Sequence, residues 1–287
     1  MNHCKTFLCC LSLFLVVGSL MLGGPGLKKT AFAEVKTDSR FINVAHRGAS
    51  GYAPENTIAA FDKAVEMKAD FFELDVQRSK DGHLVVLHDT SVDRTTDGTG
   101  YVRDMTLAEL KRLDAGSWFS SKYSGEKIPT LEEVLERYRN KRINILIELK
   151  KPSLYPGIEQ QVANLLREKH MDRWRGKVVV QSFNHDSIRR FHQTMPWVMT
   201  GALVSYTSYK DTGVTNEHLN TFARYADFVN PNKKLVDRDL VNRVHQRGMK
   251  ILPYTVRSSE AADRLFHIGV DGFVTDYPEL GYIYYAQ

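Results

Sequence analysis

The sequence predicts an α/β fold, a TIM (β/α)8 barrel with a small inserted subdomain after the hairpin that its second strand forms. Short β-branched or apolar runs alternate with helix-period stretches along almost the whole chain beyond residue 33, the signature of βαβ units and a parallel sheet. Acidic, basic and imidazole side chains also gather at the C-terminal ends of several of these runs, the end at which such barrels carry their chemistry.

Residues 1–33 are set apart as a cleavable secretory signal peptide. Lys5 supplies a basic start, Phe7 to Leu22 an apolar run, and Ala31-Phe32-Ala33 a small-x-small cleavage site. The apolar run is shorter than the roughly 20 residues that span a bilayer, and Gly23-Gly24-Pro25 follows it, so no stable membrane insertion is expected after cleavage. A lipid anchor is disfavoured because Cys9 and Cys10 lie inside the apolar run rather than at its end. Cys4, Cys9 and Cys10 are the chain's 3 cysteines, so residues 34–287 cannot rely on disulfides. The formal charge of +5 includes Lys5, Lys28 and Lys29, which leaves the remainder nearly balanced. No basic stripe or zinc-type spacing points to nucleic acid. A secreted protein of one domain, residues 34–287, is the expectation.

Strands are expected at Phe41–His46, Asp70–Gln77, Leu84–His88, Ile143–Lys150, Val178–Phe183, Met199–Ser205, Asp227–Asn230, Lys250–Val256 and Gly272–Asp276. That is one more than a barrel needs, and Asp81-Gly82 accounts for the surplus. Both residues tolerate positive φ and favour a two-residue hairpin turn, which would fold Leu84–His88 back antiparallel and set His88 directly across from Asp75. Helices are expected at Thr57–Met67, Leu131–Arg139, Ile158–Lys169, Asp186–Gln193, Asn216–Tyr225, Asp237–Gln246 and Ser259–His267, with Gly248 and Gly269 at C-terminal caps. Residues 89–129 break the rhythm, with one short helix near Leu107–Leu113, and read as an insertion over one barrel face.

Residues two apart on a strand share a face, so Glu73 and Asp75 point together, as do Glu148 and Lys150. Three carboxylates converging in a barrel mouth would repel one another, and a divalent cation is the simplest compensation. All-oxygen ligation favours Ca2+ or Mg2+ over zinc, and in an exported protein Ca2+ is favoured. The plainer alternative is that Glu148 and Lys150 only pair with each other and Glu73 caps a loop. His46 and His88 stand at strand ends beside acids. Two imidazoles of near-neutral pKa can share the proton transfers of phosphodiester cleavage. Arg47 offers a planar fork for phosphate oxygens, and Lys150 a point charge beside the cation. The remaining histidines fall in turns or on helical stretches.

The ordered set His46-Arg47-Gly48-Ala49, Pro54-Glu55-Asn56-Thr57, Glu73-Leu74-Asp75-Val76, Val86-Leu87-His88-Asp89, Asp93-Arg94-Thr95-Thr96 and Ile147-Glu148-Leu149-Lys150 resembles the glycerophosphodiester phosphodiesterase family. Gln181-Ser182-Phe183, Pro253-Tyr254-Thr255-Val256 and Thr275-Asp276-Tyr277-Pro278 extend the match, and Ala115–Phe119 brings it nearest to secreted bacterial members. Each motif is weak alone; order and spacing make the set specific. The resemblance implies metal-dependent hydrolysis to sn-glycerol 3-phosphate and an alcohol. It assigns His46 and His88 to acid–base work, Glu73, Asp75 and Glu148 to the metal, Arg47 and Lys150 to phosphate, and Glu55 to support. Phe183 and Tyr254 would meet the glycerol end, with Phe273 a weaker candidate. Free glycerophosphodiesters and poly(glycerol phosphate) teichoic acid are both compatible substrates. The competing readings are a phospholipase of the C or D type, for which Trp118-Phe119 is the one candidate apolar rim, and a binding protein that captures such diesters without cleaving them.

Overall fold

A computed structural model describes residues 40–173 and 176–284, so residues 1–33, expected from the sequence to be a signal peptide, lie outside the described residues. Nine strands form one sheet: β1 (Ile42–Ala45), β2 (Phe71–Arg78), β3 (Leu84–Val86), β4 (Asn144–Leu149), β5 (Val178–Ser182), β6 (Met199–Val204), β7 (Phe228–Pro231), β8 (Lys250–Ile251) and β9 (Gly272–Thr275). The order is β8-β7-β6-β5-β4-β2-β1-β9, all parallel, with β3 hanging antiparallel on β2. Setting β3 aside leaves the eight parallel strands of a TIM barrel. The ring is pinched at one seam. β8 is two residues long, because Pro231 of β7 has no N–H to offer Leu252 O, and the pairing resumes as the Asn232–Tyr254 bridge; toward β9 the contacts are the Val256–Thr275 bridge and bonds to the Pro253 and Ile251 carbonyls.

Helices follow the strands as the periodicity predicts, and side chains start them. Thr57 caps Ile58–Glu66, Asn184 caps His185–Thr194, and Thr130 forms a reciprocal capping box with Glu133 at the head of Leu131–Tyr138. Gly248 and Gly269 take positive φ just past Arg238–His245 and Ser259–His267. The helices bury their apolar stripes against the outside of the sheet; there Phe61 stacks on Phe72 at 4.5 Å with Tyr138 edge-on to both. Each such buried ring contributes on the order of 2 kcal/mol. Phe273 belongs to this outer layer, fully buried edge-on against Phe41 at 5.1 Å, and does not face the barrel mouth. Among the described residues no helix is long and apolar enough to cross a membrane.

Inside the barrel, Val44, Leu146, Val179, Phe228, Leu252 and Val274 form a separate apolar plug, with Phe71 and Met199 against it. Strand side chains repeat their face every two residues, so the next inward layer toward the C-terminal end is fixed by counting. Two on from Val44 is His46; from Phe71, Glu73; from Leu146, Glu148; from Val179, Gln181; from Phe228, Asn230; from Leu252, Tyr254; from Val274, Asp276. A dry floor thus carries a polar storey. Gly201 leaves room in that storey, since a Cβ there would lie 3.0 Å from Asn230 Nδ2 and 3.3 Å from Gln181 Cβ.

The hairpin differs from expectation by one residue. Ser79 N–H bonds to His83 O (2.9 Å) and Gly82 N–H to Ser79 O (3.0 Å), with Gly82 at φ +92°. Asp81-Gly82 therefore sits in a three-residue loop, a turn closed by a left-handed glycine, instead of a two-residue turn. The extra residue slides the register: Val76 faces Val86, and Leu87 N–H bonds to Asp75 O. Leu87, not His88, lies across from Asp75. Residues between β3 and β4 then build their own small core from Val92, Val102, Leu110, Ala115 and Ile128 with Val85 and Leu87 beneath.

The loop after β1 is drawn tight against the helix Ile58–Glu66. Gly48 has φ +80°, and a Cβ on it would lie 2.6 Å from the Ala60 backbone. Gly48→Ala is expected to lower the unfolding free energy by about 2 kcal/mol or more, read from urea denaturation; an unchanged midpoint would contradict this close approach.

Candidate active site

Glu73, Asp75 and Glu148 meet on the polar storey. All three are buried, and one carboxylate oxygen from each lies within 4.8 Å of the others. Burial, then the charges of Asp75 and Glu148, push the Glu73 carboxyl well above its ordinary range. Burial also lifts Glu148 to about 7, although Lys150 pulls the other way. For Asp75 burial is outweighed: Lys150, Arg47 and His88, with a hydrogen bond from Asn56, hold it below the usual carboxylate range. Three buried acids of which two resist ionisation, all offering oxygen, are the donor set a hard divalent cation neutralises.

Two cations already face this group. Lys150 Nζ is 2.6 Å from Glu148 Oε1 and 3.5 Å from Asp75 Oδ1. The Glu148–Lys150 pair that the plain reading anticipates does form, but as part of the larger cluster. Arg47 is left-handed (φ 54°), which aims its backbone N–H at Glu73 Oε2 (2.8 Å). Its Nη1 donates to Glu55 Oε1 (2.8 Å) and its Nε lies 3.5 Å from Asp75 Oδ2. Asn56, also left-handed, donates through Nδ2 to Asp75 Oδ2 (2.8 Å) and accepts the Asp75 N–H.

His46 and His88 flank the acids, each close enough to Asp75 to feel its charge. Each is held from behind by a carboxylate. His46 Nδ1 is 2.6 Å from Asp276 Oδ1, and His88 Nδ1 is 2.6 Å from Asp89 Oδ1. An ionised carboxylate only accepts, so both Nδ1 atoms carry the proton and both Nε2 atoms present lone pairs. Burial lowers both imidazoles below their ordinary value despite the acids nearby, which keeps them neutral near pH 7. Burial would raise Asp276, but its bond from His46 and the Arg257 charge bring it to about 2. Gln77, fully buried, donates to the carbonyls of both Leu87 and Asp89 and so grips the backbone on either side of His88.

Phe183 is 43% exposed at the mouth, edge-on to Tyr254 at 5.8 Å, with Lys150 Nζ 5.8 Å from its ring centre. The Tyr254 hydroxyl donates to Val204 O. From His88 and Glu148 a groove of about 1020 Å³ runs past Phe183 to Ser205 and Tyr209. Sequence reasoning thus names a set that the fold brings together, Phe273 excepted. It gives no role to Asp276, Asp89, Asn56, Gln77 or Arg94. Asp276 and Gln77 were within reach of the two-residue count along β9 and β2; Asp89, Asn56 and Arg94 depend on turns and the insertion.

The profile of the glycerophosphoryl diester phosphodiesterase family matches residues 46–280. A glycerophosphodiester phosphodiesterase of Bacillus subtilis is 42% identical over 252 residues, covering 84% of this chain and 85% of its own. One from Caldanaerobacter subterraneus is 42% identical over 237 residues, covering 82% and 94%. The solved structure of an Oleispira antarctica phosphodiesterase in complex with the product sn-glycerol-3-phosphate superposes with a TM-score of 0.74 at 30% identity, over 84% of this chain and 94% of that one. With fold, site and relatives in agreement, the chain belongs to the glycerophosphodiester phosphodiesterase family and is a phosphoric diester hydrolase.

Proposed function

We propose that the chain hydrolyses glycerophosphodiesters to sn-glycerol 3-phosphate and an alcohol by acid–base catalysis between His46 and His88, with a divalent cation on Glu73, Asp75 and Glu148. The observation that carries this reading is the pair of neutral imidazoles, each with Nδ1 tied to a carboxylate at 2.6 Å and Nε2 left for substrate, on either side of the buried acids. The cation, when bound, supplies positive charge against a phosphate oxygen. Arg47 and Lys150 bind the remaining phosphate oxygens and neutralise charge that builds up on them. Phe183 and Tyr254 hold the glycerol end, and Glu55 fixes the Arg47 fork. One imidazole takes the proton of the neighbouring glycerol hydroxyl or of a water at Nε2. The other takes up a proton from solvent at Nε2 as the anionic phosphodiester binds beside it, and gives that proton to the departing alkoxide. If the hydroxyl attacks, a cyclic phosphate forms, and water opens it with the two histidines exchanging roles. Ca2+ is the cation proposed over Mg2+, because the protein is proposed to act outside the cell. The open groove beside Phe183 supports extended as well as small leaving groups, poly(glycerol phosphate) teichoic acid among them.

His46→Ala and His88→Ala are each expected to lower kcat by at least about 100-fold in a coupled assay for glycerol 3-phosphate, while the cation still raises the melting temperature. Wild-type turnover in either variant would remove the acid–base assignment, and turnover unaffected by a chelator would remove the metal. A protein that binds glycerophosphocholine but releases no glycerol 3-phosphate with Ca2+ or Mg2+ supplied would be a binding protein instead.

The raised Glu148 carboxyl sets a pH signature. Folded Glu148 keeps a proton that unfolded chain releases above its ordinary 4.5, so its contribution to metal-free stability falls as pH rises from about 4.5 through about 7. In chelator, the stability of Glu148→Gln relative to wild type should therefore rise across that window, by urea denaturation at each pH. A pH-independent difference would mean Glu148 ionises normally. For export, mass spectrometry of protein recovered from culture medium should give an N-terminus at Glu34; intact chain confined to cells would refute cleavage.

A further inference from the structure

The motif Asp93-Arg94-Thr95-Thr96 has no part in the mechanism above, yet its arginine lies at the junction of the site. Arg94 donates through Nη1 to Glu55 Oε2 (2.9 Å), through Nη2 to Glu55 Oε1 (2.8 Å) and through Nε to Asp89 Oδ2 (2.6 Å). Glu55 is the carboxylate that holds Arg47, and Asp89 the one that holds His88. We infer that Arg94 is a positioning residue that locks the phosphate-binding Arg47 and the acid–base His88 into one rigid unit, an inference that rests on the roles proposed for those two residues.

The chain is built to present it. Asp93 accepts the Gly100 N–H (2.8 Å), Thr96 Oγ1 donates to Val92 O (2.8 Å) and accepts from Gly98 N–H, and Val92 N–H pairs with Gly100 O. Val92 and Thr95 are buried beneath, so the loop carrying Arg94 is anchored on both sides of it. The guanidinium is 45% exposed, but Glu55 is only 12% exposed, and a planar fork alone can satisfy both of its oxygens while reaching a second carboxylate. His46 on the other flank is tied to Arg47 by the chain itself, and Ser50 of the same loop donates to its partner Asp276 (3.2 Å). Arg257 bonds Asp276 behind His46 and is itself 57% exposed, with no bond to the Arg47 side among the described residues. Glu55 thus sets Arg47, Asp89 sets His88, and Arg94 makes their geometries interdependent. The inserted segment contributes to catalysis through this contact as well as by covering one side of the barrel.

The test is a double-mutant cycle on full-length protein with cation supplied. Alone, Asp89→Asn should lower kcat and Glu55→Gln should raise KM, each by about 10- to 100-fold. The combined variant should lose less kcat/KM than the product of the two losses, by about threefold or more. The same cycle in Arg94→Lys, whose point charge cannot serve both carboxylates, and in Arg94→Met should be multiplicative within twofold. Independent effects in wild type, or coupling that persists unchanged with Arg94→Lys, overturn the inference. If Arg94→Met fails to fold, the Arg94→Lys cycle decides alone, with a melting curve to establish that the variant is native. Failure here is separable from failure of the function: an active His88→Ala breaks the mechanism, whereas an inactive His88→Ala with independent Glu55 and Asp89 breaks only the lock.

Discussion

Three buried carboxylates share the barrel mouth, and the rest of the site answers their repulsion. Like charges about 5 Å apart repel by roughly 3 kcal/mol at the effective dielectric of a protein site. The fold meets the cost in two ways. Asp75 has the most donors around it, the Asn56 amide at 2.8 Å with Lys150 and Arg47 each at 3.5 Å, against Lys150 at 2.6 Å for Glu148 and the Arg47 N–H at 2.8 Å for Glu73. Glu73 and Glu148 are left under-compensated and pushed upward. Both cations reach Asp75 while Lys150 alone is paired with Glu148, so Glu73 and Glu148 retain a demand that a proton or a further cation can meet. The apolar floor below deepens that demand by keeping water from beneath the acids.

Much of this was legible in the sequence because strands impose a parity. Once β2 is placed, Glu73 and Asp75 must share a face, and once β4 is placed, Glu148 and Lys150 must. The same rule excludes Phe273. Val274 and Asp276 point inward, so their odd-numbered neighbour points to the helices, where it meets Phe41. The hairpin loop resisted the same treatment. Asp-Gly suits a two-residue turn and also the end of a three-residue loop, and local preference alone does not choose between them. The longer loop gains tertiary bonds to the inserted segment: Asp81 accepts from the Leu107 N–H (2.9 Å) and Lys80 N–H donates to Met105 O (2.8 Å).

The expected eighth strand, Lys250–Val256, shrank to Lys250–Ile251 for a reason visible in retrospect, because Pro231 on the neighbouring strand has no N–H to donate to Leu252. Asp89 is the chain neighbour of His88, but the contact behind His46 was hidden for a different reason. His46 and Asp276 are 230 residues apart and meet only because β1 and β9 are neighbours in the closed ring. Short-range pattern identifies which residues are chemically able; closure of the barrel decides which of them touch.

Gln77 lends the slipped hairpin a meaning beyond its register. Its side-chain amide grips the carbonyls of Leu87 and Asp89 while its own oxygen accepts from the buried Tyr155 hydroxyl (2.9 Å), so β2 clamps the backbone at the residue where the returning arm leaves the ladder. The arm is therefore a measured length of chain fixed at both ends, by the turn at one and by Gln77 at the other. An insertion or deletion of one residue between Ser79 and Val86 would leave the floor and the three acids in place. It would offer a different side chain to the slot that His88 occupies. In evolutionary terms the segment should tolerate changes of sequence far better than changes of length, and length is what ties this exposed turn to the chemistry below it.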